Sequence, residues 1–80
     1  MEDQKIHAHI EALIAQEHAL LERGDRRSLR DDDLVRLESI EVQLDRYWDL
    51  LRQRRARRDA GQNPGEAHLR SANTVEHYEQ

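Results

Sequence analysis

Five arginines, Arg52, Arg54, Arg55, Arg57 and Arg58, crowd into one short run interrupted only by Gln53 and Ala56. Guanidinium groups at this density hold phosphates or carboxylates through paired hydrogen bonds, and on RNA or DNA they give an affinity that falls with salt. The chain as a whole carries a formal net charge of −4, however, and no aromatic residue lies inside the run to stack on a base. Asp45, Asp49 and Asp59 also stand near enough in sequence to neutralise part of it. A protein partner is thus the first reading of the five arginines and nucleic acid the second. The plain structural alternative is a solvated helix end favoured by the negative end of its dipole.

Carboxylates and histidines offer two weaker possibilities. Glu17 falls among Leu13, Ile14, Leu20 and Leu21, where an apolar residue is expected, and Glu41 occupies the corresponding stripe of the following helix. Two such carboxylates meeting in one layer resemble the metal clusters of helical bundles, yet the Glu-x-x-His spacing of those clusters is absent from both helices. The expected outcome is no metal and no cofactor, with Glu17 at the edge of the bundle or paired with an arginine such as Arg36. His7 and Glu11 have the i, i+4 spacing of a metal pair, and His18 shares their flank, but two ligands on a solvated flank bind weakly. His9, His68 and His77 are scattered elsewhere. Ser28, Ser39, Ser71 and Thr74 have no local histidine and acid to activate them, and no glycine-rich phosphate loop occurs, so no catalytic residue is assigned and the chain is expected not to be an enzyme.

These residues must be positioned by helices. Successive residues of a helix sit roughly 100° apart, which brings Ile6, Ile10, Leu13, Ile14, Leu20 and Leu21 into one arc of about 120° and predicts a helix from about 3 to 23. Gly24 supplies the conformation that ends it, and the polar run through Ser28 forms a turn. Ser28 and Asp31, Asp32 and Asp33 offer acceptors and negative charge to the start of a second helix at 31–59. Its stripe is Leu34, Leu37, Ile40, Leu44, Tyr47, Trp48 and Leu51. A short connection between two amphipathic helices predicts an antiparallel hairpin over residues 1–60, coiled-coil-like, with residue 23 level with about residue 32 and with Tyr47 and Trp48 level with Ile6 to Ile10. Residues 61–80 contain Pro64 and Gly65 and read as a polar C-terminal tail. The fold class is all-α.

Length and composition set the limits of this reading. With 80 residues, 36% of them hydrophobic and 38% charged, the chain has too little apolar material for a large enclosed site. Its stripes are wider than a single hairpin covers. A homodimer forming a four-helix bundle is therefore expected, with Ile10, Leu13, Leu37, Leu44, Tyr47, Trp48 and Leu51 as its core and interface. Cysteine is absent, which rules out disulfides and fits a reducing compartment. No run reaches the ~18 apolar residues of a membrane span, and the start MEDQKIHAH lacks a secretory pattern, so the expectation is a cytoplasmic protein without membrane contact. Charge is segregated. Residues 31–51 hold seven acids and two bases, whereas residues 52–60 hold five bases and one acid.

The run Leu44-Asp45-Arg46-Tyr47-Trp48-Asp49-Leu50-Leu51-Arg52-Gln53-Arg54-Arg55-Ala56, with Glu17-His18-Ala19-Leu20-Leu21 before it and Asn73-Thr74-Val75-Glu76 after it, resembles a family of short actinobacterial proteins catalogued as domain of unknown function 2630. The resemblance covers most of the chain. It implies a bacterial cytoplasmic helical protein with no assigned activity, and it carries over no catalytic or binding residue. The function expected from all of these features is a non-enzymatic protein-protein interaction or regulatory module.

Overall fold

Ile6, Ile10, Leu13 and Leu20 recur at helical spacing and are the buried residues of α1 (Asp3–Leu21) in a computed structural model that describes residues 1–78, with side chains placed through Glu76. The helix ends inside its expected last turn. Gly24 follows with a φ of +151°, a region that side chains rarely enter, and a Cβ there would lie 2.8 Å from that of Ser28. Asp25 then organises the turn, because its Oδ1 accepts from the amides of Arg27 and Ser28 and from the Ser28 hydroxyl. Ser28 is therefore spent on Asp25 and does not cap the next helix.

The second helix, α2 (Asp31–Asp59), is preceded by Arg30, which makes no side-chain cap bond. Its start is favoured instead by three aspartates against the positive end of its dipole. Leu37, Ile40 and Leu50 are its buried apolar residues, while Leu44, Tyr47 and Leu51 are half-buried against α1. Leu29, from the turn, closes a cluster with Leu13, Leu20, Leu37 and Ile40. A second cluster unites Ile6, Ile10, Leu50 and Ala67. The antiparallel register is visible in side-chain pairs along the hairpin. Arg23 meets Asp33 at 3.1 Å, His9 stacks on Tyr47 with ring centroids 5.0 Å apart, and His7 meets Trp48 edge-on at 6.5 Å.

At the far end, Gly61 adopts a φ of +72°, and the amides of Gly61 and Gln62 bond back to the carbonyls of Arg58 and Arg57 at 3.1 and 2.7 Å. This pair of bonds is the Schellman closure, and it turns the chain around. A 3-10 turn at Pro64–Glu66, opened by Asn63 accepting from the Gly65 amide, leads into an irregular segment and then α3 (Ala72–Tyr78), which Ser71 starts by accepting from the Thr74 amide. Polar in composition, residues 61–78 nevertheless run back along α2, with Ala67 and Val75 buried. The cover that the wide stripes seemed to need from a second copy is thus supplied in part by the chain itself, and no four-helix bundle is required to bury Leu50. The Tyr78 side chain lies outside the described residues.

An irregular segment leaves carbonyls without helical partners, and here α2 supplies them. Arg54 donates to the carbonyl of Pro64 (3.0 Å), Gln53 to that of His68 (2.8 Å) and Arg46 to that of Arg70 (2.9 Å). Between these bonds lies Asp49, 1% exposed, whose carboxylate takes two hydrogen bonds from Arg70 at 2.5 and 2.9 Å and one from Gln53 at 3.0 Å. Burial pushes the Asp49 carboxyl up, but the bonds from Arg70 and Gln53, with the charges of Arg70 and Arg52, win and hold it below the usual carboxylate range. Its contribution to stability is accordingly present above the ordinary carboxylate pKa and lost as pH falls through the folded value.

Arg70→Ala would strand the Asp49 carboxylate in a buried position. A loss of about 2–3 kcal/mol is expected, somewhat below the ~3–5 of a fully buried pair because Arg70 keeps some solvent contact. Urea denaturation would measure it, and amide exchange should speed up selectively in residues 64–78. An unchanged denaturation midpoint would refute the role given to this pair.

Candidate interaction site

Helical geometry divides the five arginines among different surroundings. Arg54 is 9% exposed and turns inward, bonded to the Asp3 carboxylate and to the carbonyl of Pro64. Arg58 reaches the same Asp3 at 3.1 Å, and Arg57 reaches Glu66 at 3.4 Å. The hydrogen bond from Arg54 holds the Asp3 carboxyl below its ordinary range, against some desolvation and with help from Arg58. Arg52, exposed, lies 3.9 Å from Asp49. Arg55 is exposed and makes no ion pair among the described residues. As one phosphate-binding strip the block therefore fails: Arg54 is a structural tie between the start of α1 and the end of α2.

What remains outward is a smaller and more specific surface. Trp48 is 43% exposed, one turn before Arg52 and two before Arg55 on the same side of α2. With His7, Leu51, Asp3 and Arg58 these residues line an open cleft of about 300 Å³ between the beginning of α1 and the last turns of α2. No aromatic lies inside the run, but the helix brings Trp48 beside Arg52 and Arg55. The signal was the spacing of 48, 52 and 55. Trp48 belongs to the outside of the hairpin rather than to its core, whereas Ile10, Leu13 and Leu37 are buried as expected. An indole flanked by guanidinium groups can take a ligand that has an anionic group beside an apolar or planar one.

The carboxylate candidates resolve differently. Glu41 is held by Arg26, whose Nη2 donates to both carboxylate oxygens at 2.6 and 2.7 Å. The bond from Glu41, then its charge, and more weakly those of Glu38 and Glu17, raise the pKa of Arg26. Arg26 of the turn is thus a cation that feels the charge of Glu17. No group of three or more histidine, aspartate or glutamate side chains able to hold a metal occurs among the described residues, and His7, Glu11 and His18 form none.

A pair that the sequence did not disclose lies where α3 meets α2. Desolvation pushes the Asp45 carboxyl up, and the hydrogen-bonded Glu76 carboxyl and the Glu41 charge push it further, with only Arg52 opposing. One oxygen of Glu76, Oε1, is buried without a hydrogen-bond partner. A raised carboxyl pKa stabilises the fold below the ordinary carboxylate range and loses that contribution as pH rises through the folded value. At neutral pH the pair is a strain on the docking of α3. Asp45→Asn should therefore raise the unfolding free energy read from urea denaturation at pH 7 by roughly 0.5 kcal/mol once the partial solvation of the pair is allowed for. Its advantage over the unmodified chain should fade as pH falls through the raised folded value of Asp45, where Asp45 itself takes up a proton, and be lost by about pH 4, the ordinary aspartate range. An equal advantage at both pH values would refute this account.

Comparison with known proteins adds kinship but no activity. A family model described as "Protein of unknown function (DUF2630)" matches residues 2–80. The chain is 43% identical over 77 residues to "Uncharacterized protein Rv0898c" of Mycobacterium tuberculosis (strain ATCC 25618 / H37Rv), covering 95% of this chain and 88% of the relative. "Uncharacterized protein Mb0922c" of Mycobacterium bovis (strain ATCC BAA-935 / AF2122/97) matches to the same extent. No solved structure matches. Among the described residues, no helix is long and apolar enough to cross a membrane.

Proposed function

We propose, for a chain that belongs to the DUF2630 family of proteins of unknown function, that it acts by binding rather than by catalysis, as a small protein-protein interaction module whose cleft at Trp48, Arg52 and Arg55 receives an acidic protein surface. The supporting observation is the exposed indole. The tryptophan is 43% exposed and sits beside Arg55, which has no ion pair among the described residues, and tryptophan and arginine are the side chains that most often anchor protein interfaces. Carboxylates suit the two guanidiniums, and the indole and the half-buried Leu51 suit an apolar side chain next to them.

Nucleic acid competes for the same cleft, but the charge that would draw it is largely consumed. Arg54, Arg57 and Arg58 hold Asp3, Glu66 and the Pro64 carbonyl, and Asp3 itself lines the cleft. A phosphate backbone approaching along α2 would meet that carboxylate and then the acidic residues of the helix's first half. The cytoplasm remains the compartment we assign.

The test compares the tagged chain with a Trp48→Ala/Arg55→Ala variant, both shown to be folded by circular dichroism, as baits in mycobacterial lysate treated with nuclease. Proteins captured by the unmodified chain should survive nuclease and fall at least about fivefold with the variant, which corresponds to a hot-spot loss near 1 kcal/mol or more. Capture that vanishes with nuclease, or that ignores the variant, would refute the reading.

A further inference from the structure

The body measures 48 × 26 × 14 Å, so its thinnest dimension is little more than the diameter of one helix. Both α1 and the returning tail contact α2, each along its own part of the helix surface. Among the described residues the remaining long face of α2 is met only at its margins, by Arg26 at Glu41 and by Glu76 at Asp45. Along it, Glu38, Glu41, Asp45, Trp48, Arg52 and Arg55 follow one another at alternating intervals of three and four residues, the spacing that keeps side chains on one line of a helix. Glu38, Trp48, Arg52 and Arg55 are exposed, and Glu41 and Asp45 half-exposed. The line is acidic before Trp48 and basic after it.

A line of this kind is complementary to its own reverse. Turned end for end about a point near Trp48, a second copy of α2 sets its Arg52 and Arg55 alongside Asp45, Glu41 and Glu38 of the first, and receives the same in return. Such reciprocity is the defining property of an interface with two-fold symmetry, in which one patch serves both partners. A parallel pairing would oppose acid to acid and base to base. The arrangement also brings a further cation to Asp45, which faces Glu76 and Glu41 and has Arg52 beside it, Glu41 being held by Arg26.

We propose that two copies of this chain associate antiparallel through this stripe of α2, the acidic half of each against the basic half of the other and the two Trp48 side chains near the two-fold axis. The proposal rests on the reading of the Trp48 cleft as a protein-binding surface and names its occupant. It differs from a four-helix bundle, since the apolar stripe of each hairpin stays closed by its own α1 and tail. The contact, running about 26 Å along the helix from 38 to 55 at 1.5 Å per residue, is small. Its dimer is accordingly a weak one, assembling at tens to hundreds of micromolar, on the order expected below the standard interface size, and weakened by salt.

Sedimentation equilibrium of the purified chain at low salt should show a monomer-dimer equilibrium whose association constant falls at least about tenfold when salt is raised to 0.5 M. A base-reversed chain, Arg52→Glu/Arg55→Glu, and an acid-reversed chain, Glu38→Arg/Asp45→Arg, should each be monomeric alone. Mixed one to one they should form a heterodimer at least as tight as the unmodified pair, which also demonstrates that both variants are folded. A chain that stays monomeric at about 0.5 mM, a dimer that persists in either reversed variant, or a mixture that fails to associate would each overturn the proposal. A monomeric chain that still captures lysate proteins through Trp48 and Arg55 would overturn the self-association and leave the interaction module standing.

Discussion

Everything after Gly61 depends on one buried ion pair. Asp49 is almost fully excluded from water, and a carboxylate in that position is tolerable only because Arg70 grips it with two hydrogen bonds while Gln53 adds a third. Arg70 is brought there by an irregular segment whose carbonyls are bonded by Arg46, Gln53 and Arg54 of the same helix. Satisfying one group thus requires placing the others. The segment in turn delivers Ala67 to the cluster of Ile6, Ile10 and Leu50 and buries Val75. A pair of this kind adds less to net stability than its geometry implies, because desolvation offsets much of the attraction, but it leaves the tail a single position along α2.

The hairpin was legible in the sequence because its physics is local and periodic. Apolar residues at helical spacing, the glycine at 24 and the aspartate run at 31–33 marked both helices, and the shortness of the connection was enough to set Tyr47 and Trp48 beside the beginning of α1. The path of residues 61–78 was not legible. Ala67, Leu69 and Val75 are too few to show a period, and what holds the segment is a set of side-chain bonds to backbone carbonyls spanning up to 24 positions, which no composition window records.

The candidate site was half legible for a similar reason. A count of charge along the chain locates five arginines but gives them no direction. Once wound into a helix, they separate toward α1, toward the tail and toward solvent, and neighbours in sequence such as Arg54 and Arg55 end in opposite environments, one buried on Asp3 and the other exposed. Trp48 was read as core because it lies in an apolar stripe about 140° wide, and the edge of so wide a stripe faces water. The Asp45 and Glu76 pair had no signal at all, since its members are far apart in the chain and each is unremarkable alone.

A body 14 Å thick also sets how this chain melts. Where one layer of helices is the whole thickness, the fully closed side chains are confined to one seam, that of Ile6, Leu37 and their neighbours, and unfolding exposes less new surface than it would in a rounder body. The heat capacity gained on unfolding and the steepness of the denaturant response both scale with newly exposed area. This chain will therefore unfold over a broad range of temperature with a flat stability curve. It stays serviceable over a wide span of conditions without being strongly stable at any of them.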